Sequence, residues 1–269
     1  MKMNLHTRIL GFALVVFSLS ALAHAYEPGD EQLKLYPGKA PSEPTLKEGA
    51  KIKEMRYGGG FHFDIHEPLI DVYHAKGENR TKVAVVICPG GGYGAVASGI
   101  EGMPAVKWLQ KNGITAGGHL ASIATVHHKA ADPKSKDPVE RVSSRPDFSV
   151  LIYPVIAVSP PHAHMGSSRN LLGSEPSEEV LKLMNTHTQL NKQTPPTLLV
   201  HSKDDNEVPF KNSELFYEAL QKNGIKSKLL GYEKGKHAYA MGRRGTDSEK
   251  WPGECLKWFA EIGVIPAAP

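Results

Sequence analysis

Val83 to Gly94 reads VAVVICPGGGYG, an apolar run that ends abruptly in Pro89, Gly90, Gly91 and Gly92. Six residues rich in Val and Ile, bounded by Pro and Gly, predict a strand buried on both faces of a parallel sheet. Three glycines at its end let bare backbone N–H groups approach a ligand. Such a loop holds either phosphate or a developing oxyanion. Neither G-x-G-x-x-G nor G-K-[ST] follows, which disfavours phosphate. A loop that gives an N–H to an oxyanion fits better. A tight glycine turn after a core strand remains the plain alternative.

The chain on either side of this run alternates strand and helix. Ser98 to Glu101 has the S-x-x-E spacing of a capping box, Pro104 suits a first turn, and Met103, Val106 and Leu109 share a face up to the stop at Asn112-Gly113. Ala116 to Ser122 reads as the opening of another helix, and Asp147 to Pro154 and Thr197 to His201 read as further buried strands. A helix over Ser213 to Asn223, a strand over Lys226 to Tyr232, a loop holding His237 and a helix over Trp251 to Ile262 complete the chain. The expected fold is α/β, a mostly parallel sheet flanked by helices in one domain over residues 52–269. Residues 26–51 read as an extended leader.

Residues 1–25 carry Lys2 and Arg8, the apolar run Ile9 to Ala23 and a small-x-small site at Ala23-His24-Ala25. That is the pattern of a signal peptide, so the expected location is periplasmic or extracellular. Without those residues the formal charge falls from +4 to +2. No Lys/Arg cluster then points to nucleic acid, and no membrane contact is expected after cleavage. His62, His66 and His74 lack the Cys or carboxylate partners that would complete a metal set, so neither metal nor cofactor is expected. Cys88 and Cys255 are read equally well as two free thiols or as one bridge.

In an open parallel sheet the strand C-terminal ends line the ligand crevice. Three loops qualify: the glycine loop, the turn at Asp204-Asp205 and the loop at His237. An acid after one strand and a histidine after the next can act together, the carboxylate fixing the ring tautomer so that the other nitrogen takes a proton. A turn acid and a surface histidine are the alternatives.

CPGGGYG from Cys88, AGGHLAS from Ala116, DPVERVSSRPDFSVLIYPVI from Asp137, NLLG from Asn170, TPPTLLVHSKDDNEVP from Thr194 and KGKHAYAMG from Lys234 cover most of the chain after residue 25. Together they resemble the secreted bacterial α/β-hydrolases of the acetyl-esterase and acetylxylan-esterase-like type, relatives of the dienelactone hydrolase and prolyl oligopeptidase families. The resemblance implies Asp205 as triad acid, His237 as triad base, and Gly91 to Tyr93 as part of the oxyanion hole. It implies a small ester or acetylated carbohydrate as substrate.

One departure is large. In the family a strand and G-x-S precede AGGHLAS, whereas here Gly113-Ile114-Thr115-Ala116-Gly117 stands there, with no G-x-S-x-G in the chain. Thr115 occupies the nucleophile's place, although a β-branched residue costs more than Ser at a strained elbow. Only 22 residues separate Gly92 from Thr115, where two further βα units would need roughly 60. The expected sheet therefore lacks two central βα units. Three readings stay open: an exported ester hydrolase, a hydrolase-fold binding protein without turnover, and a chain shortened by an internal deletion.

Overall fold

The computed structural model describes residues 27–34, 60–63, 69–75, 81, 83–112 and 119–266. The signal-peptide segment, most of the leader, His66 and Thr115 lie outside these residues.

Three parallel strands form the centre: β3 (Ser149–Ile152), β4 (Thr197–Ser202) and β5 (Ser227–Tyr232), in the order β3-β4-β5. Val150 stands opposite Leu198, and Leu198 in turn opposite Lys228. All six residues of β4 are buried, because it has a strand on each side and helices on both faces. Side chains alternate between those faces along the strand. Leu198 and Val200 meet Leu109 of α1 (Met103–Asn112) and Trp251, Cys255, Trp258 and Phe259 of α6 (Trp251–Glu261). Leu199 meets Val126 of α2 (His119–Val126) and Phe216 and Leu220 of α5 (Lys211–Lys222). Trp251, Trp258, Phe259 and Cys255 are each 1% exposed, and each large apolar side chain so buried stabilises the fold by about 2–3 kcal/mol. Both cysteines are free thiols.

The run at Val83 differs from its expected form. Val83, Val85 and Ile87 pack on the core, while Ala84 is exposed and Val86 is 74% exposed. Among the described residues Val83 to Cys88 pairs with no strand. Burial on both faces needs a ladder partner and a second covering layer, and here one face alone is covered. No strand stands between α1 and α2 among the described residues.

Within the stretch read as a leader, β1 (Glu31–Lys34) pairs antiparallel with β2 (Leu69–Val72). α3 (Met165–Leu172) and α4 (Glu178–Met184) follow β3, capped by His164 and Ser177 respectively. No helix of the described residues is long and apolar enough to cross a membrane.

Candidate active site

Parallel strands bring their C-terminal ends to one edge, and the loops leaving them form the site. Tyr153 follows β3, Asp205 follows β4 and His237 follows β5. Asp205 is 7% exposed, and its Oδ2 lies 2.7 Å from Nδ1 of His237. Its Oδ1 accepts the backbone N–H groups of Glu207 and Val208, each at 2.9 Å. Burial opposes the Asp205 charge, but hydrogen bonds from His201 and His237, the His237 charge and the Val208 N–H outweigh it and hold the carboxyl well below its usual range.

His201 is the partner that sequence reasoning missed. It is fully buried, with Nε2 3.1 Å from Oδ2 of Asp205 and from the Val208 carbonyl, and Nδ1 2.8 Å from the Ser213 hydroxyl. Two acceptors at Nε2 place the ring proton there, so Nδ1 accepts from Ser213. A signal was available: a histidine ending the buried run TLLVH needs a polar partner, and Asp205 stands four residues on.

The His237 loop is held in an unusual backbone shape. Lys236, Ala238 and Ala240 have φ of 60°, 53° and 44°, each costing about 1–3 kcal/mol that neighbours must offset. Asp204 Oδ1 accepts from the N–H groups of Gly235 and Lys236, Asp247 accepts from Glu233 and Lys234, and Arg243 Nε donates to the Gly235 carbonyl at 2.6 Å. Tyr153 packs edge-on against His237 with ring centres 4.8 Å apart. Burial lowers the His237 pKa, yet the hydrogen bond and charge of Asp205, with Glu207 and Glu101, bring it above its usual 6.5.

Gly91, Gly92 and Tyr93 border the same cavity of about 740 Å³ as His237. The Gly91 carbonyl accepts from Gly94 and Ala95, and the Gly90 carbonyl accepts from Ala97. Among the described residues no hydrogen bond occupies the N–H of Gly91 or Gly92. Glu101 does not cap its helix. Its Oε2 accepts the Gly90 N–H at 2.7 Å, and its Oε1 accepts from the Tyr153 hydroxyl at 3.2 Å. The carboxylate thus ties the glycine loop to the strand end beside His237. Asn170 of α3 donates to the Gly92 carbonyl at 2.9 Å from the other side.

Gly91 is required by this turn. Its φ is 136°, and a Cβ there would lie 2.1 Å from the Ala95 carbonyl oxygen. Gly91→Ala is expected to destabilise the loop by about 1–3 kcal/mol, lowering the melting temperature by several degrees. An unchanged melting curve would show that the loop relaxes freely.

His74 Nε2 lies 3.0 Å from Glu31 Oε1, and the His62 backbone bridges to Val96. No cluster of potential metal ligands occurs among the described residues.

Residues 162–263, which include Asp205 and His237, match the prolyl oligopeptidase family. The chain is 34% identical over 152 residues to an endo-1,4-beta-xylanase B of Butyrivibrio fibrisolvens, covering 51% of this chain and 24% of that protein. It is 27% identical over 217 residues to an acetylxylan esterase of Xylanibacter ruminicola, covering 61% and 42% respectively. It therefore spans less than half the length of either relative. An acetyl ester-xyloside bifunctional hydrolase from Caldicellulosiruptor lactoaceticus superposes with a TM-score of 0.72 at 27% identity, over 88% of this chain and 98% of that one. A carboxylesterase from Lactobacillus plantarum, 16% identical with a TM-score of 0.53 over 70% of this chain and 89% of its own, shares the fold. Likeness in both sequence and fold, running over nearly the whole of one solved acetyl ester hydrolase, gives this chain an α/β-hydrolase-type fold similar to that of acetylxylan-esterase-like proteins.

Proposed function

We propose that the chain hydrolyses carboxylic esters, with acetyl groups on xylan-type polysaccharide as the substrate class. The observation that carries this reading is the 2.7 Å contact of Asp205 Oδ2 with His237 Nδ1 at the wall of the cavity that the glycine loop borders. A carboxylate on Nδ1 keeps the proton there and leaves Nε2 to accept one from an attacking hydroxyl or water. The imidazolium so formed returns that proton to the departing oxygen. N–H groups of Gly91, Gly92 and Tyr93 take up the charge that develops on the carbonyl oxygen. The xylan-related names of the relatives support the substrate class. The apolar run before Ala23-His24-Ala25 supports action outside the cytoplasm.

A second reading, a binding protein on a hydrolase scaffold, is favoured by one observation. Among the described residues no hydroxyl is hydrogen-bonded to His237. Incubation of the full chain with acetylated xylo-oligosaccharides, with released acetate and calorimetric binding both measured, separates the two. Acetate release that saturates with substrate is the expected result. Saturable binding with no release would favour the scaffold reading, and neither signal would overturn both.

A further inference from the structure

We propose that the hydroxyl that accepts the acyl group in this chain is Ser167, with His164 as its base. The inference rests on the reading that the cavity hydrolyses esters, and it supplies the nucleophile that no G-x-S-x-G provides.

Ser167 lies in the first turn of α3, and His164 is the residue that caps that helix. Ser167 Oγ is 2.8 Å from His164 Nδ1. The backbone N–H of Ser167 also points at Nδ1, at 3.1 Å. An N–H aimed at a ring nitrogen requires a lone pair there, so the ring proton of neutral His164 sits on Nε2. The Ser167 hydroxyl therefore faces a basic nitrogen, the nucleophile–base arrangement that activates a serine. A Cβ on Gly166 would lie 3.2 Å from Cε1 of this ring, so the glycine gives the imidazole its room.

Both residues border the cavity shared by His237 and the glycine loop. A Cβ built on Gly92 would lie 3.4 Å from Ser167 Oγ. The hydroxyl thus stands against the loop whose Gly91 and Gly92 N–H groups carry no hydrogen bond among the described residues. An ester carbonyl between them presents its carbon to Oγ and its oxygen to those donors. Asn170, one helical turn after Ser167, ties the Gly92 carbonyl to the same helix, which couples the positions of hydroxyl and loop.

In the first half-reaction the Oγ–C bond forms, the Oγ proton passes to His164 Nδ1, and the carbonyl electron pair moves onto the oxyanion. Collapse breaks the bond to the alcohol, which leaves with that proton. In the second half a water, deprotonated by His237, attacks the acyl carbon. The C–Oγ bond then breaks, the carboxylic acid leaves, and Oγ takes up the proton that His237 had removed from the water, which returns both groups to their starting states. Two histidines thus divide the work, His164 in acylation and His237 in deacylation.

A purely structural role predicts a different outcome, because His164 is also a helix cap. His164→Asn keeps a good capping side chain and removes the base, and Ser167→Ala keeps the capping N–H and removes the hydroxyl. The full chain and both variants are treated with a fluorophosphonate, the adduct is mapped by peptide mass, and p-nitrophenyl acetate turnover is followed. The expected result is one adduct on Ser167, no adduct and a fall of about 10³-fold in turnover for Ser167→Ala, and labelling slowed by about 10²-fold in His164→Asn. Ser167→Cys, alkylated by iodoacetamide more slowly once His164 is also replaced, reads the same pairing if Ser167→Ala fails to fold. Turnover that survives Ser167→Ala in a folded protein, or an adduct on another residue such as Thr115, overturns the proposal and leaves the ester-hydrolase reading standing. An adduct on Ser167 without turnover of any ester supports the activated serine and overturns the ester-hydrolase reading. Absence of both adduct and turnover overturns both.

Discussion

Replacing His237 with alanine is expected to lower kcat for p-nitrophenyl acetate by about 10⁴-fold, with KM within a few-fold of the parent. The imidazole is held by Asp205 at the wall of the cavity that the glycine loop borders, and it moves protons only as the transition state is approached. Its removal therefore weakens transition-state binding and leaves ground-state binding nearly intact. The fold survives, because the His237 side chain is 20% exposed and Asp205 keeps His201 and the N–H groups of Glu207 and Val208. Steady-state kinetics with a melting curve on the same preparation check this. A variant that retains activity within tenfold, with its fold intact, would move the proton-transfer site away from His237. If acylation runs through Ser167 and His164, the variant instead releases about one equivalent of p-nitrophenol before it stalls, and KM falls with kcat as the acyl-enzyme accumulates.

Asp205→Asn is expected to lower kcat by about 10³- to 10⁴-fold for a different reason, the reversal of two ring tautomers. Oδ1 of Asp205 accepts two backbone N–H groups, so the asparagine oxygen must keep that position. Its NH₂ then faces Nδ1 of His237 and Nε2 of His201, the nitrogens that now donate. His237 is left with its proton on Nε2, where the attacking oxygen needs a base. His201 loses its donation to the Val208 carbonyl, and the buried mismatch destabilises the fold by about 1–3 kcal/mol.

The pH dependence of this variant has a definite sign. In the parent the Asp205 pKa is lowered from 3.8, so its contribution to stability is full above that value and is lost as pH falls through the lower folded one. The His237 pKa is raised from 6.5, so its contribution is full below 6.5 and is lost as pH rises through the folded value. Activity needs neutral His237 and therefore climbs through an inflection above 6.5. In Asp205→Asn the acid-side loss of stability flattens and the inflection of residual activity moves down, toward or below 6.5. Melting temperatures and pH–rate profiles from pH 3 to 9 read both changes. An inflection that stays in place would mean that Asp205 does not set the His237 pKa.

The site was legible wherever a residue follows a strand that can be recognised from its own side chains. TLLVHS is apolar enough to be a central strand, so Asp205 falls at its C-terminal end, and SKLLGY does the same for His237. Tyr153 occupies the equivalent place after β3, yet a Tyr before Pro carries no mark of its contacts with Glu101 and His237. Glu101 was harder still. The S-x-x-E spacing fits a helix cap, and only the approach of Gly90 and Tyr153 from outside the helix gives its carboxylate other partners.

Local pattern and composition determined the α/β class, the mostly parallel sheet and the pairing of an acid with a histidine on successive loops. These depend on periodicity and on short-range turn chemistry, which the chain carries residue by residue. Tertiary structure alone decided that Val83 to Cys88 covers one face without joining a ladder among the described residues, that His201 shares the carboxylate of Asp205, and that Ser167 meets both His164 and the glycine loop. Burial, ladder pairing and hydrogen-bond partners are set by what segments distant in sequence leave open or fill, and that cannot be read from a segment by itself.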